Sequence, residues 1–149
     1  MNPIGRRLTF DHLVIATTDV QAICKFWQRV LFARANGLEE WQNGAIEYPH
    51  LELGTWRVNV HEVERRVQPG ARRIVSGSQN LCVAWPGTIA SAREHLKRCE
   101  VPIILGPIEQ SGASGEGTSV YFRDPDGNLL EFICYENCHD GVPAETRSD

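Results

Sequence analysis

Ser119-Val120-Tyr121-Phe122-Arg123-Asp124-Pro125-Asp126-Gly127-Asn128-Leu129-Leu130-Glu131-Phe132-Ile133 is the stretch that decides the fold. Its two flanks are rich in β-branched, aromatic and aliphatic residues, and its middle is turn chemistry. Pro125 presets φ, Asp124 and Asp126 can bond the local backbone, and Gly127 accepts a positive φ. A β-hairpin is therefore expected. Its second strand is apolar except for Glu131. A carboxylate among Leu, Phe and Ile is costly to bury unless something pairs with it.

Working outward, a Gly- and Ser-rich segment, Gly106 to Gly117, precedes the hairpin and reads as a loop. It would serve either as a closing flap or as a plain connector. Before it, Val101 to Leu105 reads as a short strand, Ile89 to Cys99 as a helix, and Gln79 to Trp85 as a strand. The polar segment Arg65 to Ser78 reads as a linker. In the first half, Phe10 to Thr17 is a β run with Leu13 and Ile15 on one face and His12, Val14 and Ala16 on the other. Thr18 or Asp19 caps a helix whose apolar residues Val20, Ile23, Cys24, Trp27, Val30 and Leu31 recur at helical spacing. Ala45 to Leu53 and Trp56 to Glu62 make a hairpin around Gly54-Thr55. Arg57, Asn59 and His61 share one face of its second strand, and Trp56, Val58 and Val60 share the other. Trp27 and Trp56 read as core, and His95 and His139 as solvated. His50 reads as a surface residue or one lining the concave face.

Composition bounds the function. The chain has 149 residues, 42% hydrophobic and 23% charged, which suits a globular protein with a real core. A net charge of −4 argues against general nucleic-acid binding. No apolar run approaches membrane-spanning length, and Met1 to Leu8 lacks the apolar stretch of a signal peptide. The five cysteines are odd in number and form no C-x-x-C pair, so a reducing, cytoplasmic setting is expected.

The order of elements repeats. Each half runs strand, helix, strand, strand, strand. His12 and Asn80 lie 68 positions apart, and His61 and Glu131 lie 70 apart. Four polar residues thus take matching places, one on the first and one on the last strand of each half. Strand parity sets each of them away from the helix-facing side, on the concave face of its sheet.

Asp11-His12-Leu13-Val14-Ile15 ahead of a helix bearing Phe26-Trp27, together with Asp124-Pro125-Asp126-Gly127-Asn128-Leu129-Leu130-Glu131, resembles the vicinal oxygen chelate superfamily of glyoxalases, bleomycin resistance proteins and dioxygenases. Asn59-Val60-His61-Glu62, Gly106-Pro107-Ile108, Ser111-Gly112-Ala113 and the Ser119 to Asp126 run are similar to the glyoxalase domain-containing protein 5 group. The resemblance implies an α+β fold of paired βαβββ modules forming a cupped mixed-sheet half-barrel. It spans one domain at 8–136, with module one at 8–64, a linker at 65–78, module two at 79–136 and a flexible tail at 137–149. It also implies a divalent metal in the cup, a small-molecule substrate and a homodimer.

Carried over residue by residue, the resemblance implies His12, His61 and Glu131 as metal ligands, with Asn59 an alternative to His61 for its slot. Asn80 stands where relatives use histidine. Two imidazoles and a carboxylate suit Zn, Mn, Fe, Co or Ni. Glu131 would leave the metal to act as the catalytic base, and Asn59, Asn80, Tyr121 and Arg123 would meet the substrate. Taken singly, the same residues have plainer readings. His12 fits a satisfied strand histidine, and Glu131 fits a salt bridge to Arg57 or Arg123. Cys82 shares the Asn80 face without an evident base. The function expected is a glyoxalase-like lyase or isomerase acting on a small oxygenated metabolite. The alternatives are a metal-free small-molecule binding or resistance protein, and an Fe(II) ring-cleaving dioxygenase.

Overall fold

The computed structural model describes residues 9–65 and 67–135, so the N-terminal segment and the expected tail at 137–149 lie outside the described residues. Module one runs β1 (His12–Thr17), α1 (Val20–Leu31), β2 (Arg34–Asn36), a short α2 (Leu38–Gln42), β3 (His50–Leu53) and β4 (Trp56–Glu62). Module two runs β5 (Asn80–Ala84), α3 (Ile89–Arg98), β6 (Leu105–Gly112), β7 (Gly115–Arg123) and β8 (Leu129–Cys134). Each module makes its own four-stranded sheet, in the order β1-β4-β3-β2 and β5-β8-β7-β6. In both, the first strand pairs in parallel with the last and the other pairs are antiparallel. The α+β architecture of paired βαβββ modules is therefore present, as two separate mixed sheets.

Local sequence explains the helices. The Asp19 carboxylate accepts from the Ala22 backbone N–H at 2.9 Å and starts α1. Val20, Ile23, Cys24, Trp27, Val30 and Leu31 are buried, as their spacing requires, and Phe32 ends the helix in the left-handed region at φ 56. Thr88 caps α3 in the same way through Ser91. Parity explains the sheets. Ile15, Leu51 and Val60 are fully buried in module one, as Val120 and Phe122 are in module two, where Leu130 and Phe132 are 1% exposed. Each such side chain contributes about 1.5–3 kcal/mol when taken from water. They form one continuous core with Ala92 and Leu96 of α3.

The modules meet through their helices and through the Asp124 turn. His95 Nε2 donates to the Val30 carbonyl at 2.8 Å, the Arg29 guanidinium donates to the Cys99 carbonyl, and Phe32 packs on Trp85 and His95. The turn is a buried polar network. Asp124 accepts from the backbone N–H groups of Asp126 and Asn128 at 3.1 and 3.0 Å, and from the Asn128 side chain at 2.7 Å. Asn128 in turn accepts from the Gln79 N–H at 2.9 Å. Burial raises the Asp124 carboxyl pKa, and the Asn128 bonds oppose that rise. Asp126 accepts from the Thr18 hydroxyl at 3.1 Å, which ties the turn to the entry of α1. Gly77 lies so close to this turn that a Cβ there would sit 2.3 Å from the Asp126 carbonyl oxygen.

Four expectations are corrected. His95 is not solvated: it is 5% exposed, because the Val30 carbonyl gives it a partner 65 positions away. Trp56 is not core: it is 49% exposed at the start of β4 and stacks on Phe10 at 4.7 Å. The short strand expected at Val101 to Leu105 is irregular chain as far as Ile104. The segment read as a loop, Gly106 to Gly117, holds most of β6 and the start of β7. Gly106 takes φ +102 against β7, where a Cβ would lie 2.4 Å from the Ser119 carbonyl oxygen, so glycine here permits pairing. The strand lies at a sheet edge, where Gly, Ser and Pro are tolerated.

Candidate functional site

Sheet register puts the expected site residues on the faces that the helices leave uncovered. In module one, His12 lies beside Arg57, Val14 beside Asn59, and Ala16 beside His61. Across β4, His50 pairs with Asn59 and Glu52 with Arg57. In module two, Asn80 lies beside Leu129, and Cys82, Glu131 and Tyr121 form one row across β5, β8 and β7. Superposing the two registers matches His12 with Asn80, His50 with Tyr121, and Asn59 with Glu131, 72 positions apart. His61 corresponds to Ile133, two residues further along. By register, then, Asn59 is the residue of β4 that matches Glu131, and His61 lies two residues beyond it on the same face.

The module-one face is rich in nitrogen. His12 Nδ1 donates to Asp11 Oδ1 at 2.6 Å, which leaves the Nε2 lone pair for another partner. Its side chain is 45% exposed. His61 stacks on Tyr48 with ring centroids 4.2 Å apart, and its Nε2 is buried without a hydrogen-bond partner. Burial holds the His61 pKa below the ordinary imidazole value; Glu47 opposes that shift and His12 adds to it. Arg57 Nε donates to Asn59 Oδ1 at 2.9 Å. Glu52 is engaged by Arg34 and lies 3.6 Å from His50 Nε2.

The module-two face carries oxygen and sulphur. Burial against the sheet, and then the neighbouring Glu131 carboxylate, pushes the Cys82 thiol up to about 12, although the residue remains solvent-accessible. Burial and Glu131 also raise the Tyr121 phenol. At neutral pH both therefore keep their protons and offer them to Glu131. Cys82 is then no thiolate nucleophile. Arg123 shares this face, but its Nη1 donates to the Gly127 carbonyl at 2.8 Å. Neither Arg57 nor Arg123 pairs with Glu131 among the described residues, so the salt-bridge reading of Glu131 is not realised there.

For a divalent cation the donor types fit: an imidazole whose far nitrogen is oriented by a carboxylate, a buried imidazole nitrogen with no partner, and a carboxylate. One chain does not assemble them. Among the described residues, no three His, Cys, Asp or Glu side chains gather as a cation needs. His12 and His61 lie on one sheet and Glu131 on the other. Sequence reasoning passed over Asp11 as the His12 partner, Arg57 beside His12, and the Glu131 row through Cys82. The two-residue turn at Gly54-Thr55 was enough to set His50 opposite Asn59.

Comparison with known proteins gives the family. Residues 9–132 match the model of the Glyoxalase/Bleomycin resistance protein/Dioxygenase superfamily. Virulence protein STM3117 of Salmonella typhimurium is 33% identical over 125 residues, covering 84% of this chain and 83% of that protein. Its crystal structure superposes with a TM-score of 0.78 over 87% of this chain and 98% of that one. The glyoxalase domain-containing protein RDO1 of Mycosarcoma maydis is 33% identical over 129 residues, covering 87% of this chain and 69% of that protein. A structure of the fosfomycin resistance protein FosX of Listeria monocytogenes, described with Mn(II) and dihydroxypropylphosphonic acid, shares the fold. It does so at 16% identity and a TM-score of 0.60, covering 87% of this chain and 93% of that one. With the superfamily model matching most of its length, this chain belongs to the Glyoxalase/Bleomycin resistance protein/Dioxygenase superfamily.

Proposed function

We propose that this protein is a divalent-metal-dependent enzyme that moves a proton on a small oxygenated metabolite, in a lyase or isomerase reaction of the glyoxalase kind. The observation that carries the proposal is the division of donors. Imidazoles stand on the uncovered face of one sheet, Glu131 stands on the uncovered face of the other, and neither set is complete alone. A homodimer in which module one of one chain faces module two of its partner would complete the set. His12 and Glu131 would then hold the cation, with His61 or Asn59 beside them.

When bound, such a cation polarises a carbonyl or stabilises the oxyanion that follows proton loss. The chain's own groups supply the rest. Glu131 takes the proton from the carbon next to the carbonyl. Tyr121 and Cys82, both protonated beside Glu131, hold its carboxylate in place, and Glu131 returns the proton it took to the neighbouring carbon or oxygen of the substrate. Asn59 and Asn80 offer amide donors to the substrate from the two faces. The experiment is metal analysis of protein purified without chelator, compared with His12→Ala and Glu131→Gln. Bound metal that falls in both variants supports the proposal. A metal-free wild type would favour the binding or resistance reading, and bound iron with oxygen consumption would favour the dioxygenase.

A further inference from the structure

His12, Arg34, His50, Arg57 and His61 line the uncovered face of module one, and its two arginines differ: Arg34 has a carboxylate partner and Arg57 has none among the described residues. The register partner of Arg57 on β3 is Glu52, but that carboxylate is already engaged by Arg34 and adjoins His50. Among the described residues no carboxylate lies within 4.0 Å of the Arg57 guanidinium. Its Nε donates to Asn59 Oδ1 at 2.9 Å, which fixes the plane of the group without engaging its terminal nitrogens. Directly beside it on β1 is His12, whose Nδ1 is held by Asp11. Within one chain this is an exposed, pre-oriented guanidinium without an acid, next to a candidate metal ligand, and it suits an anion held in two parallel hydrogen bonds.

The other arginine on these faces is differently placed. Arg123 donates to the Gly127 carbonyl and so braces the turn at the start of β8. The sequence alone placed Arg123 among the residues that would meet the substrate; the hydrogen bonds favour Arg57 as the one free to hold an anion.

We infer that Arg57 positions the substrate by binding an anionic group, a carboxylate or a phosphonate, so that the substrate is a small oxygenated acid and not a neutral carbonyl compound. The inference rests on the reading above that this face meets the substrate, but it requires no metal. Arg57 fixes the charged end, which leaves the oxygens on the neighbouring carbon to lie toward His12.

The test is calorimetric binding of pyruvate, methylphosphonate and the uncharged hydroxyacetone to the full chain, with and without added Zn(II), with metal content measured on the same samples. At least one anion is expected to bind and hydroxyacetone to bind about tenfold or more weakly. The preferred anion tells carboxylate from phosphonate. Arg57→Gln is expected to remove the preference, and Arg57→Lys to keep part of it, since the charge stays and the fork is lost. Arg93→Gln, on the exposed side of α3, controls for net charge. Equal binding of the neutral probe, no binding of either anion, or an unchanged preference in Arg57→Gln overturns the inference. If Arg57→Gln does not fold, Arg57→Lys carries the test, and wild-type affinity in that variant overturns it. Protein that lacks metal yet binds an anion through Arg57 defeats the metal proposal and keeps this one. Metal-loaded protein without Arg57-dependent binding does the reverse.

Discussion

The two sheets share strand order, pairing direction and register, yet their uncovered faces have opposite chemistry. Module one presents His12, Arg34, His50, Arg57 and His61 around a single carboxylate, Glu52. Module two presents Cys82, Tyr121 and Glu131 in one row. The helix-covered faces, by contrast, are alike in being aliphatic and aromatic. The repeat preserves what the core needs, while the face that the core does not use is free to differ between the modules.

The comparison breaks most visibly between neighbours on opposite faces. Phe122, fully buried and stacked on Phe132 at 4.7 Å, is expected to cost about 3–5 kcal/mol as Phe122→Ala in urea unfolding. A loss under about 1 kcal/mol would show that the helix-covered face is not the source of stability. The two hairpin turns should differ next. Asp124→Ala strands two backbone N–H groups and the Asn128 amide, and is expected to cost about 2–3 kcal/mol. Gly54→Ala, at φ 59 in the plain turn of module one, is expected to cost about 1–2 kcal/mol. The reverse ranking would contradict the role given to the Asp124 network.

Alkali should act on both modules alike. Burial pushes the Cys24 and Cys134 thiols up to about 11, above their ordinary value. The folded chain therefore keeps protons that the unfolded chain releases. Stability is expected to be insensitive to these groups below about pH 9, and to fall as pH rises toward 11. Cys24→Ala and Cys134→Ala, followed by thermal unfolding against pH, should each flatten that fall. A steeper fall in either variant would refute the assignment. The smallest effects belong to the uncovered faces. His61 should titrate below 6.5 in an NMR pH series, and lower still in Glu47→Gln, because Glu47 opposes the burial effect. Tyr121→Phe should change stability by less than about 0.5 kcal/mol, in contrast to its neighbour Phe122.

What the sequence made legible was local. The hairpin around Asp124 to Asn128, the cap at Asp19, and the faces of β1 and β4 all follow from neighbours a few residues apart. The register between modules was not legible, for a simple reason. Side chains alternate every two residues, so a slip of two leaves a residue on the same face. Parity set both Asn59 and His61 on the uncovered side, but only the pairing of β1 with β4 distinguishes them. The burial of His95 depends on a carbonyl from the other module, and no periodicity of α3 reveals it. The strand from Leu105 to Gly112 is built from Gly, Pro and Ser, which propensity assigns to loops.

The central claim, that His12 of one chain and Glu131 of another serve one cation, is tested most directly by mixing the two single variants. His12→Ala and Glu131→Gln chains, unfolded and refolded separately, should each hold little metal. Refolded together, they should regain about half the wild-type content at most in each mixed dimer, because one of its two sites then has both ligands intact. No recovery on mixing, or full metal content in either variant alone, would contradict the account.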